Sequence, residues 1–139
     1  MACCDSRVHP AQILDTEPGE IFVVRNVANL VPPCIDDGKT HGMSAALEFA
    51  VKHLKVEHIL ILGHGHCGGI KSLMTDDPFA RDVSFIEPWM EIAAAAKDRI
   101  IAAHSDQSFE EQCKLCEQEA IALSMDNLMT FPFIKQAVT

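Results

Sequence analysis

The chain has 139 residues, a hydrophobic fraction of 48%, a charged fraction of 22% and a formal net charge of −9. This length and composition are typical of one soluble globular domain, and we expect residues 1–139 to form a single domain. The net negative charge argues against nucleic acid or an anionic membrane surface as a partner, because both would repel the chain. No apolar run approaches the ~18 residues of a membrane span.

The start of the sequence and the cysteine content bear on the compartment. The first residues, MACCDSRV, contain neither a basic region nor a long apolar stretch, and so they show no secretory signal. The six cysteines are then expected to be reduced thiols, metal ligands or redox groups rather than disulfides. The sequence therefore predicts a cytoplasmic protein, or one in another reducing compartment such as an organelle stroma if a transit segment is missing.

The first half of the chain has the pattern of a strand, a helix and a second strand. The run IFVV (21–24) is short, apolar and rich in β-branched residues, and HILILG (58–63) is similar, so both are predicted as buried strands. Between them, GMSAALEFAVKHLK (42–55) has apolar residues at helical spacing. A βαβ unit of this kind implies a parallel sheet whose functional crevice lies at the carboxyl ends of the strands.

The second half is predicted to be helical, at about 85–104, at about 108–128 and in a short segment after Pro132. Both ends of the sequence look cut. MACC begins as though inside a strand, and FPFIKQAVT stops within a helical pattern that has no cap. We therefore expect the chain to be partial at both ends.

The turn after the second predicted strand, GHGHCGG (63–69), contains the G-x-G-x-x-G spacing of dinucleotide-binding turns. That interpretation also needs an acidic residue ~20 positions later, at the tip of a following strand. The candidates at that distance are Asp76, Asp77 and Asp82, and they lie in a proline-containing loop that leads into a helix. The glycine spacing is therefore interpreted as a coincidence.

The same turn also carries residues that bind metals. His64 and Cys67 are separated by two residues, which is close enough to chelate one ion from a single turn. Cys67 is predicted at the start of a helix, where the dipole and the free N–H groups favour a thiolate. Two ligands do not make a site, so further ligands must come from elsewhere, and in a parallel sheet that means the tip of a neighbouring strand.

The N-terminal stretch CCDSR (3–7) provides such a tip. If it ends a strand, alternation places Cys3, Asp5 and Arg7 on one face, whereas Cys4 points to the other. A thiolate, a carboxylate and a guanidinium in a row are unusual for a core and reasonable for a site, so alternation selects Cys3 over Cys4 as a ligand. Cys3 and the two residues of the glycine turn make three protein ligands, which leaves one tetrahedral position open, as in a catalytic zinc site.

With C-x-D-S-R followed by H-x-x-C-G-G, the sequence resembles the β-class carbonic anhydrase family. The segments VVRNVANLV, ALEFAVKHL and NLMTFPFIKQAV are also similar to that family, and the resemblance covers nearly the whole chain. It implies an α/β fold of three layers, with a parallel-core β-sheet flanked by helices, and self-association as dimers or higher oligomers. Members of the family also have a helical arm before the first motif and further sheet and helix after the point where this sequence stops.

The resemblance implies a zinc lyase that converts carbon dioxide reversibly to bicarbonate and a proton through a zinc-bound hydroxide. Zn²⁺ would be held by Cys3, His64 and Cys67. Asp5 would accept a hydrogen bond that orients the hydroxide, and Arg7 would hold Asp5 in place and keep it off the metal. Two thiolates lower the effective charge of the ion, so an alkaline preference is expected.

Further residues are assigned to the substrate pocket by the same resemblance. Phe22, Val27 and Phe49 would line a small apolar pocket for carbon dioxide, although residues of these types are most often simply core. Gly68 and Gly69 would allow a helix to start against the metal without a side-chain clash.

Two alternatives stay open from the sequence. Cys113 and Cys116 form a C-x-x-C pair inside a predicted helix, where packing is favoured over redox chemistry. The chain as a whole could also be a non-catalytic module, either a dinucleotide binder or a zinc-stabilised dimer scaffold. Asp5 and Arg7 discriminate between this module and an enzyme, because a purely structural metal site needs neither.

Overall fold

The computed structural model describes residues 1–75 and 84–138. At its centre, strand β1 (Ala2–Cys3) pairs in parallel with strand β2 (Arg25–Asn26), and Ala2 makes a further parallel bridge to Leu62. The chain start therefore lies between two parallel segments that come later in the sequence. Asp76, Asp77 and Asp82, the acidic candidates of the dinucleotide interpretation, lie outside the described residues.

Helices surround this small sheet. The described α-helices are α1 (Pro10–Ile13), α2 (Gly42–Glu48), α3 (Gly68–Thr75), α4 (Ile86–Met90), α5 (Ala94–Ala103), α6 (Phe109–Leu128) and α7 (Pro132–Ala137). A π-helical segment, Phe49–Leu54, continues α2, and 3-10 turns occur at Val27–Asn29 and Glu91–Ala93. None of the described helices is both long and apolar enough to cross a membrane.

The helix predictions are confirmed, and local chemistry explains where α6 and α7 begin. The Ser108 hydroxyl caps α6 by accepting the Glu111 N–H at 3.2 Å, and Glu110 and Glu111 place negative charge in the first turn. Pro132 stands in the first turn of α7, where its missing N–H has no consequence. The predicted α/β fold with a parallel core and flanking helices is likewise confirmed.

The prediction of buried strands at 21–24 and 58–63 is wrong in its detail. Residues 21–24 are not in a regular strand, and in 58–63 the described pairing is the bridge at Leu62. Phe22, Val23 and Leu60 are exposed. β1 is two residues long; it pairs with Arg25–Asn26, directly after the first segment, and bridges to Leu62 near the end of the second. Earlier residues of both segments line an apolar cleft of about 520 Å³.

Two hydrophobic clusters form the core, and α6 contributes to both. The first joins β1 to helices α3–α6 and includes Cys3, Leu30, Ile70, Ala96, Cys116 and Ala120. The second joins α2, α6 and α7 and consists of Val31, Leu47, Leu128, Phe131 and Ile134. Fully burying side chains such as Leu30 and Phe131 contributes roughly 1.5–3 kcal/mol each. Helix α6 therefore has a fixed position against the sheet.

Candidate metal centre

Three ligand-type side chains converge at the carboxyl end of the sheet. Cys3 ends β1, while His64 and Cys67 lie in the turn between the Leu62 bridge and α3. One ligand atom from each of the three lies within 4.8 Å of the others. Donor atoms of one tetrahedral zinc site lie roughly 3–4 Å apart, because each is ~2.0–2.3 Å from the ion. The three side chains are thus near the spacing that a shared ion requires.

The His64 ring gives independent evidence about this cluster. Its Nδ1 lies 3.0 Å from the Gly65 carbonyl oxygen, while its Nε2 is buried and has no hydrogen-bond partner among the described residues. Buried polar atoms are normally paired, because leaving one unsatisfied is unfavourable. A proton on Nδ1, donated to the carbonyl, leaves a lone pair on Nε2, which is the arrangement of a metal-bound histidine. Two thiols and this nitrogen are a donor set that fits zinc.

Strand alternation separates the two neighbouring cysteines as the sequence indicated. Cys3 is buried and its sulfur accepts a hydrogen bond from the Ala28 N–H at 3.3 Å. Cys4 is exposed. Of the two, Cys3 is the one placed with His64 and Cys67.

The protonation of Cys67 differs from the expectation of a helix-stabilised thiolate. Burial raises the pKa of the Cys67 thiol to about 11, with a smaller contribution from the neighbouring Cys3, while the N–H groups of Ile70 and Gly69 act in the opposite direction. The helix start does favour the thiolate, but burial outweighs it. A cation at the cluster would offset the unfavourable burial of two thiolates, so metal binding is coupled to proton release.

Asp5 and Arg7 form a pair beside the cluster. Arg7 donates from Nε to Asp5 Oδ1 at 2.9 Å and from Nη2 to Asp5 Oδ2 at 2.7 Å, and its own backbone N–H also donates to Oδ1 at 2.9 Å. These hydrogen bonds hold the pKa of Asp5 well below its usual range. Arg7 Nη2 also donates to the His66 carbonyl at 2.9 Å, which ties the pair to the turn that carries the histidine and cysteine ligand types.

Ala28 and His66, which contact the site through their backbones, have left-handed backbone conformations. Ala28 has a φ of 62° and directs its N–H to Cys3, and His66 has a φ of 56° and directs its carbonyl to Arg7. Such conformations cost about 1–2 kcal/mol per residue and are retained where the surrounding contacts determine them. The backbone at both positions is thus part of the site.

Arg25, which holds the segment after β1, was not predicted from the sequence. Arg25 Nε donates to the Cys3 carbonyl at 2.8 Å, and its Nη2 donates to the carbonyls of Asp5 and Val8. A lone basic residue directly after the apolar run IFVV was the available signal. Arg25 fixes the path of the backbone that carries Cys3 and Asp5.

A second residue missed by the sequence analysis is Glu117 on α6. Its Oε1 accepts the Cys67 backbone N–H at 2.8 Å across 50 residues of sequence. The sequence pattern in that helix indicated the C-x-x-C pair of Cys113 and Cys116 instead, and the structure places Cys116 in the core, fully buried. Burial raises the pKa of the Cys116 thiol to about 12 and also raises the pKa of Cys113, which is the opposite of what a redox pair needs.

The predicted pocket residues lie in two places. The rings of Phe22 and Phe49 are 6.0 Å apart between centroids, and these side chains are 45% and 48% exposed. Val27 lies instead against the start of α3, where a Cβ on Gly69 would be 2.9 Å from Val27 Cγ1. A Cβ on Gly68 would meet none of the described residues within 4 Å, so close packing accounts for Gly69 and not for Gly68. The pocket role of these residues stays a prediction.

Fold and site together define an α/β protein whose Cys-His-Cys cluster and adjoining Asp–Arg pair lie at the carboxyl ends of parallel strands. The sequence matches the family model described as carbonic anhydrase over residues 1–139, and the chain belongs to this family. The resemblance found in its motifs is therefore confirmed.

Individual relatives support the same classification. The chain is 48% identical to Beta carbonic anhydrase 3 of Arabidopsis thaliana over 139 residues, which are 99% of this chain and 54% of that protein. It is similar to the structure of the β-carbonic anhydrase CcaA, with a TM-score of 0.90, 30% identity and coverage of 99% of this chain and 66% of that one. One of two tetrameric β-carbonic anhydrases from Sordaria macrospora gives a TM-score of 0.78, 29% identity and coverage of 99% and 66%. The chain thus spans about half the length of the curated relative.

Proposed function

We propose that this chain carries the active site of a zinc-dependent carbonic anhydrase, a lyase that converts carbon dioxide reversibly to bicarbonate and a proton. The observation that carries the proposal is the convergence of Cys3, Cys67 and a His64 ring whose buried Nε2 has no partner in the part of the chain that the structure describes. The 48% identity to a β-carbonic anhydrase supports the same activity.

The residues of the cluster have separate tasks in this proposal. Cys3, His64 and Cys67 hold the ion, and a bound zinc ion supplies the Lewis acid that makes a water molecule nucleophilic near neutral pH. Asp5 stays ionised, because the hydrogen bonds from Arg7 lower its pKa. Each carboxylate oxygen has more than one acceptor site, so Asp5 can accept a hydrogen bond from the reacting water while Arg7 occupies its other lone pairs.

Arg7 positions this acceptor relative to the ligands. The planar guanidinium of Arg7 donates to both carboxylate oxygens of Asp5. It also donates to the carbonyl of His66, which lies between His64 and Cys67 in the sequence. The Asp5 carboxylate is thus fixed relative to the cluster and stays hydrogen-bonded to Arg7. Fixed orientation of a group at the reacting atoms is a major source of rate enhancement in enzymes.

The alternative of a non-catalytic zinc scaffold is less well supported. Structural zinc sites have four protein ligands, whereas three side chains make up the cluster found among the described residues. A scaffold also gives no reason for an ionised Asp5 beside the cluster. These two features favour catalysis.

We extend the proposal to self-association and to a reducing compartment. Large apolar side chains are exposed around the cleft and α2, among them Leu14, Phe22, Val23, Phe49 and Leu60. Exposed apolar surface of this kind is typical of a protein–protein interface. The solved Sordaria macrospora relatives are tetramers. All six cysteines are free thiols, which supports a reducing compartment such as the cytoplasm.

The test of the function is zinc content together with stopped-flow carbon dioxide hydration on the same sample, over about pH 6 to 9. We expect one zinc per chain and a rate that rises with pH, because two thiolate ligands weaken the acidifying effect of zinc relative to the ~7 of an all-histidine site. Cys4→Ala is the matched control and is expected to behave as the unmodified chain. A sample fully loaded with zinc that shows no hydration at any pH would instead support the scaffold.

A further inference from the structure

We propose that Glu117 is a positioning residue of the metal centre, which fixes the ligand Cys67 through a hydrogen bond to its backbone. This inference rests on the zinc site of the proposed function and adds a residue to it. The carrying observation is the 2.8 Å bond from the Cys67 N–H to Glu117 Oε1.

The Cys67 N–H lies where a helix cannot satisfy it. α3 begins at Gly68, and the first N–H groups of a helix have no carbonyl partner within it. Cys67 is buried, with a relative exposure of 3%, so water does not readily replace a missing acceptor. A carboxylate accepts such a bond more strongly than a neutral oxygen does, because the bond is charge-assisted.

Helix α6 holds both ends of the glycine turn with residues one helical turn apart. Glu117 accepts the N–H of Cys67 at the end of the turn. Ile121 packs against its start, where a Cβ on Gly63 would be 2.5 Å from Ile121 Cδ1. Residues four apart lie on the same face of a helix, so one face of α6 determines where His64 and Cys67 stand.

The same face of α6 is anchored to the rest of the domain. Ser124, one turn beyond Ile121, is buried and its hydroxyl accepts the Val31 N–H at 3.1 Å. Asn127 donates to the Val31 carbonyl at 2.8 Å. Glu117 therefore projects from a 20-residue helix fixed to the core, and a displacement of Cys67 would have to break a bond to a rigid element.

Glu117 acts through Cys67 and not as a ligand. It is absent from the group of side chains whose donor atoms lie within 4.8 Å of one another, and its Oε1 is used by the Cys67 amide. Groups that orient a metal ligand typically change metal affinity 10–100-fold when they are removed. Glu117 is expected to belong to this class.

The test compares zinc dissociation constants by chelator competition for the full chain, Glu117→Ala, Glu117→Gln and Glu119→Ala. We expect Glu117→Ala to bind zinc about 10–100-fold more weakly, and Glu117→Gln, which keeps an acceptor oxygen, to regain most of the affinity. Glu119 is the matched control, because it lies on the same helix and forms its 2.7 Å ion pair with Arg99. Its removal is expected to leave zinc binding unchanged.

Cobalt substitution gives a second readout that a merely stabilising role of Glu117 would not change. We expect the thiolate-to-cobalt absorption of Glu117→Ala to shift, since the Cys67 sulfur is no longer held in one orientation, whereas Glu119→Ala keeps the spectrum of the unmodified chain. Equal zinc affinity and equal cobalt spectra for Glu117→Ala and the unmodified chain would overturn the inference. The same weakening in Glu119→Ala would also overturn it, because the effect would then come from α6 in general.

If Glu117→Ala does not fold, Glu117→Asp provides a second comparison of zinc affinity. Glu117→Asp shortens the side chain by one methylene and withdraws the acceptor from the Cys67 N–H, so it is expected to bind zinc more weakly than Glu117→Gln. Equal affinity of these two variants and the unmodified chain would contradict the inference. Absence of zinc binding by the unmodified chain would overturn the proposed function itself, and this outcome is distinct from tight binding that ignores Glu117.

Discussion

Arg7 joins Asp5 to the turn that contains His64 and Cys67. Its guanidinium donates to both carboxylate oxygens of Asp5, at 2.9 and 2.7 Å, and also to the His66 carbonyl at 2.9 Å. The carboxylate beside the cluster is therefore held relative to the ligands by one side chain that is itself largely exposed. This dependence on one arginine makes the pair testable.

Arg7→Ala should abolish most of the carbon dioxide hydration while leaving the zinc content unchanged. Without the guanidinium, Asp5 is free to move onto the metal or away from the reacting water, and misplacement of a group by about 1 Å can lower the rate 10²-fold. Arg7→Lys should not restore the rate, because an ammonium cannot replace a two-pronged donor. Stopped-flow hydration and zinc analysis on each variant check this.

The control for this prediction is Arg99→Ala, which removes another arginine–carboxylate pair, that with Glu119 at 2.7 Å, away from the cluster. Its turnover should match that of the unmodified chain. Normal turnover in Arg7→Ala would mean that the pair does not control the orientation of Asp5.

The two adjacent cysteines should respond in opposite ways to substitution. Cys3→Ala removes a sulfur that lies within the ligand group, so zinc affinity should fall by more than the 10–100-fold that follows loss of an outer residue. Cys4→Ala removes an exposed thiol and should keep both zinc and activity. Zinc titration of both variants decides the matter, and zinc loss in Cys4→Ala with retention in Cys3→Ala would show that the strand register is wrong.

Gly63→Ala should destabilise the domain through contact with α6. The new Cβ would lie 2.5 Å from Ile121 Cδ1, closer than carbon atoms approach, so the isoleucine must move. Overpacking of this kind typically costs about 1–3 kcal/mol. Urea unfolding should show this loss, and Ile121→Val in the same chain should recover part of it by withdrawing the methyl group.

Gly65→Ala is the matched control for the glycine turn, since a Cβ there would meet no atom of residues 1–75 and 84–138 within 4 Å. Its unfolding free energy should stay within about 0.5 kcal/mol of the unmodified chain, as for other unobstructed surface changes. A loss equal to that of Gly63→Ala would show that backbone conformation, and not Ile121, is responsible.

Local patterns in the sequence were sufficient to predict that Cys3, His64 and Cys67 lie together. The spacing of His64 and Cys67 and the alternation along CCDSR depend on neighbours within a few residues, and the structure places Cys3 with this pair as the patterns indicated. The helical periodicity of 108–128 was equally local, and it gave α6 to within one residue.

Interactions between distant segments were not predictable in this way. Glu117 reaches Cys67 across 50 residues, and nothing in the sequence around Glu117 marks it as an acceptor for that amide. The effect of the helix start on the Cys67 thiol was named from the sequence, but the burial that outweighs it and raises the pKa of this thiol depends on the fold. The prediction of a strand at 21–24 was wrong for the same reason. Apolar β-branched residues form a regular strand only where a partner backbone lies beside them.

The buried thiol of Cys116 should make stability fall as the solution becomes alkaline. Burial raises its pKa from 9.0 to about 12 in the folded chain. Above about pH 9 the unfolded chain releases this proton and the folded chain retains it, so the unfolded state binds fewer protons and the free energy of unfolding decreases with pH, by at most ~1.4 kcal/mol per unit for one proton. The stabilisation is complete below pH 9 and is lost as the pH rises towards about 12.

The measurement is urea unfolding of the zinc-loaded chain under reducing conditions at pH 8, 9 and 10. Cys116→Ala should show a smaller decrease over this range, whatever its stability at pH 8, whereas Cys4→Ala, which removes an exposed thiol, should keep the slope of the unmodified chain. Equal slopes for Cys116→Ala and the unmodified chain would mean that Cys116 ionises as easily in the folded state as in the unfolded one.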